Sequence, residues 1–371
     1  MKQENLQAII QLRHELHAHP ELSTQEIWTK QHLIDFLKAR TKLEIVEQER
    51  WFYAVYRCRQ EAKTIAFRAD FDALPIEEGL PELPYASQCA GVSHKCGHDG
   101  HAAALAGLAL EIDQDGCDKN VIFLFQHAEE TGEGAVECVN TLAKLGINEI
   151  YAFHNISGFP QHSVVIRSGT MQCASVGLTI EMVGSPTHAS TPELGRNPAN
   201  AIAQLACVLP ELSDPAHYTG LVLCTIIQID VGQKAFGMSA SRGEISITVR
   251  AEHEDELDEL LSKIEAVARE KSQIDGLTCK ISYADRFPET CNNAHCADRV
   301  RAAARTLGLP VTEMEKPMRG SEDFGHILKA IPGAAFQIGN GENYAGLHSY
   351  EYDFPDEILE NAVEMYYMLV R

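Results

Sequence analysis

The amino-acid sequence predicts an α/β protein with a mostly parallel sheet flanked by helices, into which a smaller α+β domain is inserted. Strand-like segments alternate with helical segments over residues 1–172, as expected of a parallel sheet between helical layers. Over residues 173–285, two strand-like segments instead follow each other directly. The length of 371 residues also exceeds what one hydrophobic core usually covers, so two domains are expected.

The elements of the first domain are taken in order from the amino terminus. Residues 1–22 have the spacing of an amphipathic helix. Its apolar side carries Leu6, Ile9, Ile10 and Leu16. The nearly continuous apolar segment at residues 119–126 is typical of a strand that is buried on both faces of a sheet. The remaining predicted elements alternate along the chain: a strand at 63–71, helices at 101–112 and 134–146, and a strand at 149–155.

The inserted domain has a different order of elements. Residues 173–285 read as strand, helix, strand, strand, helix and strand, which is the split-βαβ or ferredoxin-like arrangement. Helix and strand then alternate again to the end of the sequence. We therefore expect one domain formed by residues 1–172 and 286–371, which carries the catalytic chemistry, and an inserted lid domain formed by residues 173–285.

The composition excludes several classes of function. The formal charge of −22 argues against nucleic-acid binding, because a phosphate backbone requires clustered Lys and Arg. No segment approaches the ~18 to 20 consecutive apolar residues of a membrane span. The N-terminal segment lacks the apolar region of a signal peptide, and the eleven cysteines are scattered without framework spacing. These features favour a cytoplasmic protein with free thiols that acts on a small molecule.

The segment HKCGHDGH, residues 94–101, concentrates metal-binding side chains before a predicted helix. Taken alone, it fits a metal site and a helix-capping loop equally well, with Asp99 as the capping residue. A redox site fits less well because no C-x-x-C partner is present. A structural zinc site would require a second pair of Cys or His ligands at short spacing, and the sequence shows no such pair.

Further candidate ligands follow the predicted strands. Asp70 and Asp72 follow the strand at 63–71, Glu129 and Glu130 follow the strand at 119–126, and His154 ends another strand. The carboxyl ends of parallel strands share one edge of a sheet, so these side chains are expected in one crevice. Neighbouring strand residues face opposite ways, so both glutamates can serve one site only where the backbone leaves the strand.

One glutamate of this pair could then bind a metal ion while the other transfers a proton. Three later segments, THASTP (187–192), GSEDF (320–324) and LHS (347–349), also contain histidine or carboxylate side chains that could serve such a site. Taken alone, a single histidine such as His154, His188 or His348 is more often structural than functional.

Together these segments resemble the amidohydrolase branch of the dinuclear metallopeptidases, which includes hippurate hydrolases, N-acetyldiaminopimelate deacetylases and auxin-conjugate hydrolases. Eight motifs occur in the order of that family. They are RHELHAHPELS (13–23), FRADFDALPI (67–76), HKCGHDGH (94–101), FQHAEETGEGA (125–135), AFHN (152–155), THASTP (187–192), GSEDF (320–324) and LHS (347–349). Each motif is weak by itself, but the eight in order are specific and span nearly the whole chain.

The resemblance implies a zinc-exopeptidase-like fold and two divalent metal ions, which could be zinc, manganese or cobalt. The implied metal ligands are Cys96, His98, Glu130, His154 and His348, with Cys96 bridging the two ions. Glu129 would be the general base. The implied substrate-binding residues are His188, Arg250 and Glu322. Asp72 and Asp99 would orient histidine ligands. A homodimer through the lid domain is also implied.

The expected reaction is hydrolysis of the amide bond of an N-acyl amino acid or a similar small amide. A dipeptidase or carboxypeptidase with the same metal site, or a non-catalytic binding protein on this fold, are the alternatives. Three positions depart from the family pattern: His127 replaces a usual proline, Gly237 lies in AFGMSAS where an Asn-Val-Ile-Pro stretch is common, and Ile247 replaces a glycine. These departures affect the substrate prediction more than the predicted chemistry.

Overall fold

The computed structural model describes residues 1–58 and 62–371, and the chain divides into two compact units. The first unit comprises residues 1–171, 290–317 and 323–371, and the second comprises residues 172–289 and 318–322. The second unit thus extends four residues beyond the predicted boundary at 285 and includes a short segment from the later part of the chain.

The helices and strands are numbered here in chain order. The part before the insertion contains α1 (Gln3–Ala18), α2 (Ile27–Arg40), β1 (Glu44–Glu47), β2 (Phe52–Tyr56), β3 (Thr64–Asp70), α3 (His98–Asp115), β4 (Asn120–Gln126), α4 (Gly134–Leu142), β5 (Glu149–Ser157), β6 (Val164–Ile166) and β7 (Gly169–Gln172). The insertion contains β8 (Ala174–Val183), α5 (Ala199–Leu212), β9 (Val222–Val231), β10 (Arg242–Ala251), α6 (Glu254–Ile274) and β11 (Thr278–Phe287). The part after it contains β12 (Thr290–Asn292), α7 (Ala294–Thr306), β13 (Val311–Glu313), α8 (Gly325–Leu328), β14 (Gly333–Gly341) and α9 (Leu359–Val370).

The first unit is built on an eight-stranded sheet with the order β1-β2-β4-β3-β5-β14-β6-β13. The central strands β4, β3, β5 and β14 are parallel, whereas β2 joins β4, and β6 joins β14, in antiparallel pairs. One face is covered by a core that includes α1, α3, α7 and α9, and the other by a core that includes α4 and α8. This mostly parallel sheet between helical layers confirms the predicted fold class.

Helix α3 illustrates why the sequence adopts this arrangement. Its residues 102–106 are all alanine or leucine and are fully buried, so small side chains allow the helix to pack closely against its neighbours. Strands β3 and β4 are buried along nearly their whole length, which matches their near-continuous apolar composition. No helix in residues 1–58 and 62–371 combines the length and the apolar character that crossing a membrane requires.

The second unit is a four-stranded antiparallel sheet with the order β11-β8-β10-β9. Helices α5 and α6 pack with the inward-facing side chains of this sheet in a separate core. Strand β8 shows the expected alternation, and its buried apolar side chains are Ala174, Val176, Leu178, Ile180 and Met182. The order of elements and of strands is that of the ferredoxin-like arrangement, as the sequence predicts.

The topology of the first unit brings distant segments of the chain to one edge of its sheet. Asp70 pairs with Gln126 at the carboxyl ends of β3 and β4, and β5 runs parallel beside β3. The segments that follow β3 and β4 therefore emerge at the same edge, near the end of β5 that carries His154.

Candidate metal centre

The segment HKCGHDGH, which we call the metal loop (residues 94–101), ends at the first turn of α3. Gly97 precedes the helix with φ = 101°, in the left-handed region that glycine tolerates. A side chain at this position would begin 2.4 Å from the amide oxygen of Asn155. Among the described residues no side chain caps the helix, and Asp99 lies within its first turn, so Asp99 is not the capping residue.

Two groups of potential ligands share the sulfur of Cys96. In the first group, the ligand atoms of Cys96, His98 and His154 lie within 4.8 Å of one another, and Cys96 Sγ is 3.5 Å from His154 Nε2. In the second group, the same limit holds for Cys96, Glu130 and His348, and His348 Nε2 is 3.5 Å from Glu130 Oε1. All five predicted metal ligands therefore converge, and Cys96 is common to both groups.

The histidine tautomers leave nitrogen lone pairs directed towards these groups. His98 Nδ1 is 3.0 Å from the Asp72 carbonyl oxygen and 3.1 Å from Asp72 Oδ1, so this nitrogen donates and Nε2 keeps its lone pair. His154 Nδ1 donates to the Asn155 carbonyl oxygen at 2.6 Å, which leaves its Nε2 facing Cys96. Both tautomers are the ones that a metal-binding histidine requires.

Two buried polar atoms in this region show that the residues fit a divalent cation. His98 Nε2 and Glu130 Oε1 are both buried, and neither has a hydrogen-bond partner within the described residues 1–58 and 62–371. Buried acceptors of this kind are normally satisfied by a donor or an ion. They lie 3.7 Å apart, and with thiolate, imidazole and carboxylate ligands they suit zinc or a similar transition metal.

The pKa shifts of Cys96 and His348 reflect how closely the ligand groups are packed. Burial raises the pKa of the Cys96 thiol, and the negative charge of Glu130 raises it further. The close approach of Cys96 and Glu130 to the imidazole raises the pKa of His348 to about 10. A divalent cation would reverse both shifts, because it favours the thiolate and the neutral imidazole.

The carboxylate turn, residues 128–130, carries both candidate glutamates. Ala128 has φ = 48°, so the backbone leaves the strand direction immediately before Glu129. Glu129 Oε1 accepts a hydrogen bond from the Asp323 amide at 3.3 Å, and Glu129 Oε2 lies 4.0 Å from His98 Nε2. Because of this turn, the two adjacent glutamates both lie beside His98 in one ligand group.

The two aspartates that were expected to orient ligands have different contacts. Asp72 contacts His98, as described above, and its Oδ2 also accepts a hydrogen bond from the Glu130 amide at 3.0 Å. Asp99 instead accepts hydrogen bonds from His17 Nδ1 at 2.9 Å and from Arg13 Nη1 at 3.3 Å. The structure thus places Asp99 against helix α1 and not against a predicted ligand histidine.

A further polar network lies behind the ligands. His101 Nδ1 is 2.6 Å from Asp70 Oδ1, and His101 Nε2 is 2.7 Å from the side-chain oxygen of Asn155. Asp70 in turn accepts a hydrogen bond from Arg68 at 2.5 Å. Asp70 and His101 belong to the motifs FRADFDALPI and HKCGHDGH. The sequence did not indicate that Arg68 and Asn155 form hydrogen bonds with them.

The three predicted substrate-binding residues belong to the second unit. Arg250 Nη1 donates to the Arg319 carbonyl oxygen at 3.0 Å and to Ser321 Oγ at 2.9 Å. His188 is exposed, and its Nδ1 lies 2.7 Å from Ser190 Oγ. Glu322 is buried at the end of the short segment 318–322. Their roles in substrate binding stay predictions.

The chain is similar to known proteins in family, in sequence and in structure. The sequence model of the peptidase family M20/M25/M40 matches residues 66–371. An N-acetyl-L-cysteine deacetylase of Bacillus subtilis is 31% identical over 330 residues, which cover 88% of this chain and 79% of that protein. An N-acetyldiaminopimelate deacetylase of Bacillus subtilis is 29% identical over 373 residues, covering 97% of each.

A solved structure from Bacillus subtilis, described as a dinuclear metal binding peptidase from the M20 family, has the same fold. It superimposes with a TM-score of 0.84 at 24% sequence identity and covers 100% of this chain and 98% of its own. At this level of identity, the likeness shows the fold alone.

Proposed function

This chain belongs to the peptidase family M20/M25/M40 and is a metal-dependent amidohydrolase, and we propose that it hydrolyses the amide bond of an N-acyl amino acid. The observation that carries the proposal is the convergence of two ligand groups on Cys96 beside Glu129. Two of the relatives are named as deacetylases of N-acetylated amino acids, which supports this substrate class.

The ligand set supports a centre for two divalent cations, and Cys96, which is common to both groups, would be a ligand in each. His98, His154, Glu130 and His348 would complete the two coordination shells. When bound, a pair of such cations polarises the amide carbonyl and lowers the pKa of the attacking water. The mixture of thiolate, imidazole and carboxylate ligands suits zinc, manganese or cobalt.

Glu129 is suited to act as the general base of this reaction. Its carboxylate is 6% exposed, and the Asp323 amide fixes one of its oxygens. The other oxygen lies on the side of His98, within the ligand group. From this position Glu129 accepts the proton of the attacking water and transfers it to the leaving amine nitrogen.

The second unit supplies the substrate-binding residues and a dimer contact in this proposal. His188, Arg250 and Glu322 would bind the acyl group or the carboxylate of the substrate. Strand β9 is an edge strand of the second unit, and Ile226, Ile227 and Ile229 on it are 40%, 63% and 48% exposed. An edge strand with exposed apolar side chains favours pairing with a second copy of the chain.

The test is hydrolysis of a panel of N-acetyl amino acids, N-benzoyl amino acids and dipeptides, followed by mass spectrometry of the products. Zinc, manganese and cobalt are added in separate reactions, and a chelator serves as the control. We expect metal-dependent release of the acid from N-acyl amino acids. Cleavage of dipeptides alone would instead identify a peptidase, and binding without cleavage by metal-loaded protein would contradict an enzymatic role.

A further inference from the structure

The segment that joins α1 to α2, residues 19–26, is hydrogen-bonded to the carboxylate turn. Glu26 Oε1 accepts a hydrogen bond from the Ala128 amide at 2.8 Å. Both residues are buried, since Glu26 is 4% exposed and Ala128 is fully enclosed. The side chain of Glu26 thus reaches the residue immediately before the proposed general base.

Ala128 has a backbone conformation that requires support from its surroundings. Its φ of 48° lies in the left-handed region, which is unfavourable for a residue with a Cβ atom. Its carbonyl oxygen accepts hydrogen bonds from the Gly134 amide at 3.0 Å and from the Glu133 amide at 3.3 Å. Glu26 provides the corresponding bond to its amide, so Ala128 is held on both of its peptide groups.

The same segment also supports the amide on the other side of Glu129. Ser23 Oγ donates a hydrogen bond to Asp72 Oδ2 at 2.7 Å, and the Glu130 amide donates to the same oxygen at 3.0 Å. The segment is attached to the end of β3 as well, because the Ala73 amide donates to the Glu21 carbonyl oxygen at 2.8 Å. The amide before Glu129 therefore donates to Glu26, a residue of this segment. The amide after Glu129 donates to Asp72, which Ser23 of the segment also contacts.

We propose that Glu26 is a positioning residue whose acceptor oxygen holds Ala128 in the left-handed conformation that directs Glu129 and Glu130 into the metal centre. This inference rests on the proposed function of those two glutamates. Glu26 contacts neither substrate nor reacting atoms in this proposal. It acts through the backbone of the carboxylate turn, where a small rotation at Ala128 would displace both carboxylates.

The protonation state of Glu26 supports an acceptor role over a charge role. Burial and, to a smaller extent, the negative charge of Asp72 together raise the pKa of the Glu26 carboxyl group to about 8. The group is thus mostly neutral at neutral pH, and the amide of glutamine is close to it in shape and polarity. A Glu26→Gln variant keeps the acceptor oxygen, whereas a Glu26→Met variant keeps the volume and removes it.

The experiment compares these two variants in the full chain. In Glu26→Met we expect kcat to fall about tenfold or more with KM nearly unchanged, and the affinity for Zn²⁺ or Mn²⁺ to fall by about 10- to 100-fold, as is typical when a group supporting a ligand is removed. In Glu26→Gln we expect kcat, KM and metal affinity within about threefold of the parent protein. Metal affinity is measured by titration calorimetry without any substrate.

Glu21 provides a matched control in the same segment. Its carboxylate accepts hydrogen bonds from the Trp28 and Thr29 amides at the start of α2, and among residues 1–58 and 62–371 it has no hydrogen bond with the carboxylate turn. Glu21→Gln and Glu21→Met are therefore expected to change the midpoint of urea unfolding without the split between kcat and KM.

Two results would overturn the proposal. Parent-like kcat and metal affinity in Glu26→Met would show that the acceptor is not needed. Equal impairment of Glu26→Gln and Glu26→Met would show that the carboxyl group acts through its charge or proton and not as an acceptor. Because metal affinity is measured without substrate, this comparison stays decisive even if the parent protein cleaves no N-acyl amino acid.

Discussion

At the scale of single residues, Cys96 is the residue whose replacement should affect the proposed metal centre most. Its sulfur belongs to both ligand groups, so in the proposed centre its replacement would remove a ligand from each of the two cations. Fewer anionic ligands would then remain for the two cations, so the affinity of the site for divalent metal ions should fall.

We expect Cys96→Ala to bind fewer than two metal ions per chain and to lose nearly all turnover. Cys96→Asp should keep part of both properties, because a carboxylate can also bridge two cations. Metal content is measured by mass spectrometry of the intact purified protein. Cys89→Ala, at a partly buried cysteine outside the ligand groups, is the control. An unchanged metal count in Cys96→Ala would rule out the bridging role.

Glu129 and Glu130 should be separable although they are adjacent. Glu129→Gln is expected to keep both metal ions and to lower kcat by about 10²- to 10⁴-fold, because it removes the proton acceptor. Glu130→Gln is expected to lower metal affinity, because it removes a ligand. Parallel measurements of kcat and of bound metal test both. Full activity of Glu129→Gln would exclude Glu129 from the mechanism.

At the scale of elements, helix α1 is hydrogen-bonded to the metal loop. His17 donates hydrogen bonds to Asp99 in α3 and to Glu78, and Glu78 also contacts Lys95 at 2.5 Å. Burial disfavours a charge on His17, but its hydrogen bonds to Asp99 and Glu78 outweigh burial and raise its pKa to about 9. Arg13 and His17 of the segment RHELHAHPE thus belong to a buried ion network between α1 and the metal loop.

This network predicts a pH dependence of stability. Because the pKa of His17 is higher in the folded than in the unfolded state, its stabilisation is fully present below pH 6.5 and is lost as the pH rises through about 9. The shift corresponds to about 3 kcal/mol. We therefore expect His17→Gln to have a lower free energy of unfolding at neutral pH, with a difference that shrinks in alkaline solution.

Urea unfolding with chelator present, from below pH 6.5 to above pH 9, measures this difference without a contribution from bound metal. A difference between parent and His17→Gln that stays constant over the whole range would contradict the assigned role of the imidazolium.

The turn after β4 shows how an unusual residue is accommodated. His127 occupies the position where the family resemblance leads one to expect proline, and the structure buries it completely. Burial lowers the pKa of His127 to about 4, so its ring is neutral at neutral pH and lies 3.2 Å from Glu137 Oε2 in α4. The change of backbone direction in the carboxylate turn comes from the next residue, Ala128, whose φ is 48°.

At the scale of the whole molecule, the proposed dimer forms through the edge strand β9. A charged side chain on an edge strand prevents pairing with another strand. We expect the parent protein to have a mass near twice the 41.0 kDa of one chain, and Ile227→Lys to shift it towards one chain. Light scattering after size exclusion measures both masses.

Strand β11 forms the opposite edge of the same sheet and supplies the control. Ser282→Lys, on that strand, should leave the mass unchanged. A parent protein that is monomeric at micromolar concentration, or an Ile227→Lys variant that stays dimeric, would contradict a dimer formed through β9.

The sequence by itself determined the fold class and the order of elements in the second unit, whereas in the first unit the predicted order lacks α2, β1 and β2. Hydrophobic periodicity reports whether a segment is helix or strand, and the positions of Cys96, His98, Glu130 and His154 at strand and helix ends follow from it. The relation of His348 to these residues came from the motif resemblance, because local periodicity carries no information about which distant loops meet.

Only the tertiary structure decided which groups support the metal centre. Asp99 contacts Arg13 and His17, 86 and 82 residues away, and Glu26 contacts Ala128, 102 residues away. Such pairs depend on how helices pack against the sheet and not on the local pattern of either segment. The histidine tautomers likewise follow from the hydrogen-bond partners that packing provides, and a sequence read as separate segments cannot specify those partners.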